Sequence, residues 1–538
     1  MSSRQKSGDR RIVSGVFFLT VSNILAKVCG LFLKVPLTNT LGDTGMAYFQ
    51  LAYAVYKWFY MISTAGLPVA AAILTARYAS DTDPMHRAAV LRRIRNVTLG
   101  AFLLLGICGS LCMWSCAPLF ARLQRVNEAA ASIIAIAPAL FCICITSALR
   151  GWYQGLECQL PTAISQVAEA GGKMICGLVF AAYAMALGKP MHLVAAYAVA
   201  GLSVGCLLGM IVMLVSHPIV VRKYGIARRG GTGIGCREVL SQLWRIALPV
   251  TLSASVMSLC DMLDSMIVIR RLCGAGMTQA DALRLYGNYG SLAVPMFNLP
   301  PILIYPLTTA LIPVIAAARE DRERCGHIIR ASLSVTSIIA LPCAAGMGLM
   351  AEPILRLFYR ADLARTGAPM LAVLSAAIFF LSVCAMTNAI LQAVGAAKYP
   401  LYSMLIGGAV KLGACWILTG QEQIGILGTP ISTVLCYFTM AVCNLYFVMK
   451  TTRLLPSFTA VLLRPAAASL VCALTAKVAY RLLSTEVPQT LAALASIALG
   501  GVVYLLLLAL LGGLGSDVLS LFGLKMRISL RQPAQKDG

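Results

Sequence analysis

The sequence predicts an all-α, polytopic membrane protein of about fourteen transmembrane helices. They are organised as two parallel six-helix repeats around a central cavity, with two further helices near the C-terminal end. Three observations predict this. First, 59% of the 538 residues are hydrophobic and only 12% are charged, with a mean hydropathy of +0.82, which excludes a soluble globular chain. Second, the apolar residues gather in runs of about twenty or more, long enough to cross a bilayer as helices and too long for the alternating strands of a membrane barrel. Third, the chain carries an internal duplication.

Residues 42–72, GDTGMAYFQLAYAVYKWFYMISTAGLPVAAA, align without a gap to residues 287–317, GNYGSLAVPMFNLPPILIYPLTTALIPVIAA. Nine positions are identical: Gly42 with Gly287, Gly45 with Gly290, Tyr60 with Tyr305, Thr64 with Thr309, Ala65 with Ala310, Pro68 with Pro313, Val69 with Val314, Ala71 with Ala316 and Ala72 with Ala317. An opening Gly-x-x-Gly, a mid-helix Tyr and a closing Thr-Ala-x-x-Pro-Val therefore share one register. Each copy opens on a glycine-rich turn and closes on an arginine-containing loop, so both cross the membrane in the same direction. Parallel halves with a site between them are an architecture of transporters that rock around a central cavity.

Spans are expected at residues 12–37, 46–76, 97–116, 131–153, 160–187, 191–216, 241–271, 286–317, 328–351, 367–394, 398–419, 424–449, 458–482 and 488–513. An even number puts both ends on one side. Basic residues collect on that side: Arg4, Lys6, Arg10 and Arg11, then residues 77–95, 222–237, 319–330, 450–464 and 525–536. The opposite loops, such as 38–45 and 420–423, hold few or none, so both termini are expected in the cytoplasm. The same sorting accounts for a formal charge of +24, with anionic phospholipid headgroups and no nucleic acid as partner. The first apolar run is too long for a signal-peptide core and shows no small-residue cleavage site, so it is read as a retained helix. The nineteen cysteines, Cys108, Cys112, Cys142, Cys144 and Cys176 among them, lack the spacing of a metal site or a disulfide framework and read as small packing residues.

Residues 1–216 form the expected first bundle and 241–450 the second, joined by a basic, glycine-rich cytoplasmic linker at 217–240 that contains IARRGGTGIG. A weaker echo, Gly155, Pro161 and Lys173 against Gly395, Pro400 and Lys411, supports the halves. Residues 451–514, with spans thirteen and fourteen, lie outside the duplication, and 515–538 form a cytoplasmic tail. Between spans seven and eight, GAGMTQADALRLYG reads as an external linker with a short amphipathic piece. The eighth span contains Pro295, Pro300, Pro301, Pro306 and Pro313, too many for one unbroken helix. A broken span is tolerated only where it is buried in protein or lines water, so Pro295, Pro300, Pro301 and Pro306 mark a hinge, and Asn298 beside them either serves a site or satisfies freed backbone groups.

Ionisable groups within spans carry the functional information, because a centrally placed charge costs about 3 kcal/mol even on the lenient insertion scale. Lys27 and Lys34 lie seven apart on one face of the first span, and Lys57 is in the second. Asp261 and Asp264 are three apart in the seventh, followed by Arg270 and Arg271; Glu169 and Lys173 share the fifth, and Lys411 is in the eleventh. Lys57 and Lys411 either snorkel to an interface or serve a site. Glu169 and Lys173, in the favourable i, i+4 order, either neutralise each other or belong to the site. Lys27 and Lys34 have no acid in their own span, which leaves two readings: a solvated cavity that receives phosphate or pyrophosphate, or pairing with Asp261 or Asp264. The two aspartates, one turn apart, are the candidates for coupling to a sodium ion or a proton. No other cofactor is expected. Asp81-Thr82-Asp83 imitates a metal-binding motif, but Asp83 precedes Pro84 as an N-cap precedes a first-turn proline. His86, His192, His217 and His327 have no metal or hydrolase spacing.

The segments GLFLKVPLTNTLGDTGMAYFQLAYAVY, STAGLPVAA, LPVTLSASVMSLCDMLDSMIVIRRL and YGNYGSLAVPMFNLPPILIYPLTTALIPVIAAA resemble the stage V sporulation protein B branch of the polysaccharide-transport proteins. That branch lies in the multidrug/oligosaccharidyl-lipid/polysaccharide (MOP) exporter superfamily and is related to the lipid II flippases. The resemblance covers about residues 11 to 510. It implies two six-helix bundles in a V, a central cavity lined by cations, and flipping of undecaprenyl-pyrophosphate-linked saccharide, lipid II or a related cell-wall precursor, across the bacterial cytoplasmic membrane by a monomer. It also implies that spans thirteen and fourteen form a groove for the lipid tail. Lys27-Val-Cys-Gly30 is similar to the basic-x-x-Gly pattern of the first span in lipid II flippases, with Lys where Arg is usual. The expected cavity cations are Lys27, Lys34 and Lys57. Two alternatives remain open: a cation-coupled multidrug exporter of the same fold, and a non-transporting membrane scaffold in sporulation or cell-wall synthesis. A membrane glycosyl- or acyltransferase would need an acid or histidine centre on a loop, and the sequence offers none.

Overall fold

The computed structural model describes residues 3–79, 81, 83–226, 234–318, 321–453 and 462–512, with side chains from residue 21 onward. The expected basic clusters at the N-terminus and at 525–536 lie outside the described side chains. Among the described residues the secondary structure is helical, with no strand. In chain order the helices are α1 (Ser3–Thr64), α2 (Gly66–Ala79), α3 (Pro84–Ser115), α4 (Ala117–Leu123), α5 (Ala129–Gly155), α6 (Gln159–Ala186), α7 (Met191–Lys223), α8 (Cys236–Gly274) and α9 (Gln279–Asn288). A π turn, Tyr289–Ala293, follows. Then come α10 (Val294–Phe297), α11 (Pro301–Ala317), α12 (Arg322–Leu349), α13 (Ala351–Arg356), α14 (Ala361–Ala393), α15 (Lys398–Leu418), α16 (Gly428–Thr452), α17 (Arg464–Leu483) and α18 (Gln489–Leu510).

Among the described residues, twelve helices are long and apolar enough to span a bilayer, or thirteen when the bent pair Gln279–Phe297 and Pro301–Ala317 counts as one span, against the expected fourteen. The difference arises at Val21–Ala79, counted once although its 59 residues, about 88 Å at helical rise, exceed any bilayer. Gly42 divides it: its φ of 65° and ψ of −167° are not helical, and only glycine reaches that region cheaply. The Asp83 carboxylate accepts the Met85 amide at 2.9 Å with Pro84 in the first turn, so the acidic motif at residues 81–83 includes a helix cap.

The eighth span breaks where its prolines cluster. A 47° bend separates α10 from α11; Pro295 lies in α10, Pro300 caps α11 and Pro301 begins it, whereas Pro306 and Pro313 remain inside a helix. Pro at a first helical turn removes no hydrogen bond that the helix would make, which explains why the break sits at Pro300 and Pro301 rather than further on.

The chain divides into two compact units. One comprises Met1–Pro295, Phe358–Met370 and Gly408–Ser432; the other comprises Met296–Leu357, Leu371–Gly407 and Thr433–Gly538. The first unit is centred on buried Trp152, Tyr153, Phe49 and Phe102. A close seam joins α6 to α7. Gly201, Gly205 and Gly209, each one helical turn apart on α7, lie against Cys176, Lys173 and Glu169 of α6, and a Cβ at Gly201 or Gly205 would run into the α6 backbone. Small residues at this spacing let two helix backbones approach within a membrane. They also fix the positions of Glu169 and Lys173. Gly205→Val should therefore lower thermal stability, by about 1–3 kcal/mol from overpacking, whereas Gly171→Val, with open space around it, should not; equal melting temperatures would refute the close approach.

Candidate functional site

A cavity of about 290 Å³ opens within the first unit between α1, α5, α6 and α7. On α1 its wall follows Asn23, Ala26, Gly30 and Leu33, with Lys34 at the edge of the stripe. Seven residues fall about 20° short of two full helical turns, so Lys27 lies further round than Lys34. In the structure Lys34 lines the cavity, and Lys27 is exposed outside the lining. The Lys34 ammonium sits 5.9 Å from the centroid of the Tyr53 ring, a cation–π distance, and makes no ion pair among the described residues.

Across the cavity Glu169 is held by two cations. Lys173 Nζ donates to one carboxylate oxygen at 2.5 Å and Arg150 Nη2 to the other at 2.9 Å. Arg150 also donates through Nε and Nη2 to Ser165 Oγ at 3.0 and 2.9 Å, which fixes the plane of its guanidinium. Ser165 Oγ in turn donates to the Thr162 carbonyl. The lining thus holds Lys34, Arg150 and Lys173 against a single acid, Glu169, a net charge of +2 among the described residues. Tyr53, Tyr56 and Tyr60 complete one wall, and the buried Tyr56 hydroxyl has no hydrogen-bond partner among the described residues. Arg150 and Tyr56 were not legible as site residues. Arg150 stands near the end of an apolar run, where a basic residue is ordinary, and Tyr56 is one of several aromatic residues at helical spacing.

A second charged cluster lies in the same unit and is separate from the cavity lining. Asp261 Oδ2 accepts Lys57 Nζ, Asp261 Oδ1 accepts Lys411 Nζ and Asp264 Oδ2 lies beside Lys411 Nζ, each at 2.7 Å. The order is Lys57, Asp261, Lys411, Asp264, two cations and two anions. Lys411 reaches the acids because Gly408, one turn before it, meets Cys260 of α8 where a side chain would crowd the sulfur. Lys57 and Lys411 are therefore neutralised inside the protein rather than snorkelling, and they occupy the acids that the pairing reading would have given to Lys27 or Lys34. The Lys57–Asp261 end is partly open, with side chains 40% and 35% exposed, whereas Lys411 and Asp264 are 6% and 9% exposed. Asp264 Oδ1 is buried without a partner among the described residues. Arg270 is exposed at the end of α8, and Arg271 donates to the Trp416 carbonyl at 2.9 Å and stacks on its ring. Neither arginine joins the aspartates in a described ion pair.

The two copies of the duplicated block meet. A Cβ on Gly287 would strike the Asp43 carbonyl, and Gln50 Nε2 donates to the Gly290 carbonyl at 2.8 Å. Arg284 adds an ion pair with Asp43 at 3.0 Å.

The sequence profile described as "Polysaccharide biosynthesis protein" matches residues 12–319, and the profile MatE matches 290–417. Three Bacillus subtilis (strain 168) proteins are similar to this chain. The uncharacterized membrane protein YabM is 24% identical over 98% of both chains; stage V sporulation protein B is 24% identical, covering 78% of this chain and 80% of its own; lipid II flippase MurJ is 23% identical, covering 75% and 76%. Among solved structures, lipid II flippase MurJ in an inward closed conformation superposes with a TM-score of 0.68 at 13% identity, over 92% of this chain and 99% of that one. An inward-facing multidrug resistance MATE family transporter of the MOP superfamily superposes with a TM-score of 0.64 at 18% identity, over 81% and 94%. The helical architecture, the duplicated block and the profile spanning more than half of the sequence agree: the chain belongs to the polysaccharide biosynthesis protein family and is a multi-pass membrane protein.

Proposed function

We propose that the protein flips a polyprenyl-pyrophosphate-linked saccharide, lipid II or a related cell-wall precursor, across the bacterial cytoplasmic membrane by alternating access. The observation that carries this reading is the cavity with three cations against one acid, in which Lys34 makes no ion pair among the described residues. A pyrophosphate leaving water needs fixed positive charge and hydrogen-bond donors to offset its desolvation. Lys34 and the Tyr56 hydroxyl supply an unmatched charge and an unmatched donor on one wall. An organic cation, by contrast, would be repelled by a net positive lining. In this reading any coupling to a sodium or proton gradient acts through Asp261 and Asp264.

Translocation of a lipid-linked precursor by the purified protein in proteoliposomes tests the proposal. Lys34→Gln should slow it by roughly ten- to hundredfold, the worth of a hydrogen bond to a charged group at about 1.5–3 kcal/mol. Lys27→Gln, outside the lining, should change it by less than about twofold, and both variants should melt close to the unsubstituted protein. Absence of translocation by the intact protein would leave the scaffold reading. Efflux of organic cations with no flipping would support the exporter.

A further inference from the structure

We infer that Glu169 is a built-in counter-anion that the substrate's pyrophosphate displaces and that reclaims its two cations when the substrate leaves. The inference rests on the anion-cavity reading above and adds a role within it for an acid that otherwise works against binding. Glu169 is buried in the cavity wall and engages Arg150 through one oxygen and Lys173 through the other. Of the three lining cations, only Lys34 makes no ion pair among the described residues.

That arrangement meets two requirements of a carrier. The first is stability without cargo: Arg150 and Lys173 would otherwise face each other in a poorly hydrated wall, where an unpaired buried charge is strongly destabilising. The second is release. A cavity of three unmatched cations would hold a pyrophosphate in a deep well, and a carrier that binds its cargo too tightly cannot discharge it. An internal carboxylate lowers that well, because each bond the cargo makes to Arg150 or Lys173 replaces one already made to Glu169.

The surroundings are shaped for the exchange. Arg150 keeps Ser165 Oγ as an acceptor on both Nε and Nη2, so its guanidinium stays oriented while the bond to Glu169 is broken. Lys173 and Glu169 sit on a stretch of α6 locked against Gly205 and Gly209 of α7, so neither can follow the cargo far and both are in place when it departs. The Lys57–Asp261–Lys411–Asp264 cluster cannot play this part for Lys411, which is closed in by two acids and nearly inaccessible.

The test uses the full-length protein in nanodiscs of zwitterionic lipid, titrated with inorganic pyrophosphate and with farnesyl pyrophosphate. Glu169→Gln should bind both about tenfold more tightly than the unsubstituted protein, and its proteoliposome turnover should fall at the same time. In anion-free buffer Glu169→Gln should melt lower than the unsubstituted protein, and saturating pyrophosphate should restore it. A folded Glu169→Gln that binds pyrophosphate no more tightly, or a loss of stability that pyrophosphate does not repair, would make Glu169 a structural ion-pair partner and overturn the inference. If Glu169→Gln cannot be purified, Glu169→Asp replaces it. The shorter carboxylate loosens both bonds and should tighten pyrophosphate binding by several-fold, and unchanged or weaker binding is the overturning result. Nanodiscs containing phosphatidylglycerol separate the two sources of phosphate. Loss of the pyrophosphate signal in them would assign the exchange to a lipid headgroup and overturn the assignment to the cargo. The supporting reading fails separately: it falls if neither the unsubstituted protein nor Glu169→Gln binds either pyrophosphate. Binding that Lys34→Gln abolishes and Glu169→Gln leaves unchanged removes only the present inference.

Discussion

Oxidising a Gln50→Cys/Gly290→Cys variant is expected to stop translocation completely, and reduction is expected to restore it. A Cβ placed on Gly290 would lie 3.4 Å from the Cβ of Gln50, close to the roughly 3.5–4.5 Å of natural disulfides, so the bond should form with little movement of either backbone. Gly290 belongs to the π turn of the second copy of the duplicated block, and Gln50 to the first copy. In the proposed alternating access the two copies part, and a covalent bond between them forbids it. The protein has nineteen cysteines of its own, all free, so Gln50→Cys and Gly290→Cys alone are the controls and should transport in both redox states. Translocation at the normal rate by the oxidised double variant, with the crosslink demonstrated by mass spectrometry, would refute rocking about this contact.

Lys411→Met should cost the largest amount of stability of any single substitution in the charged cluster, about 3–5 kcal/mol, and abundance in the membrane should fall with it. Lys411 is the only group in the cluster that contacts both aspartates, and without it Asp264 is left buried with no cation, whereas Asp261 retains Lys57. Adding Asp264→Asn to Lys411→Met removes the stranded charge and leaves the Lys57–Asp261 pair intact, so the double variant should recover most of the lost melting temperature. Lys57→Gln should cost less than Lys411→Met, because its side chain is 40% exposed and Asp261 keeps Lys411. Thermal unfolding in detergent checks all three. A Lys411→Met protein that melts normally, or a double variant no more stable than the single, would show that the cluster contributes little to the fold.

The length of each apolar run, the gathering of basic residues in alternate loops and the nine identities between residues 42–72 and 287–317 were settled by the sequence alone. The bilayer acts on each of these locally: a span must satisfy its own backbone and cover its own hydrocarbon thickness, whatever its neighbours do. The break in the eighth span was legible for the same reason, since proline acts on its own helix, and Asp83 could be read as a cap from its own first turn. Tertiary structure alone decided where each charge found its partner. Lys57 and Asp261 are 204 residues apart, and Lys411 and Asp261 are 150. No helical periodicity reports a contact between different helices. The choice of Lys34 over Lys27 for the cavity wall is visible only once α5, α6 and α7 stand opposite α1. Arg150 belonged to no sequence pattern at all; it enters the site because Ser165 and Glu169 of another helix bring a hydroxyl and a carboxylate within 3.0 Å of its guanidinium. In a membrane the hydrophobic pattern selects which segments cross. The polar contacts that must be satisfied in the absence of bulk water select how they face one another.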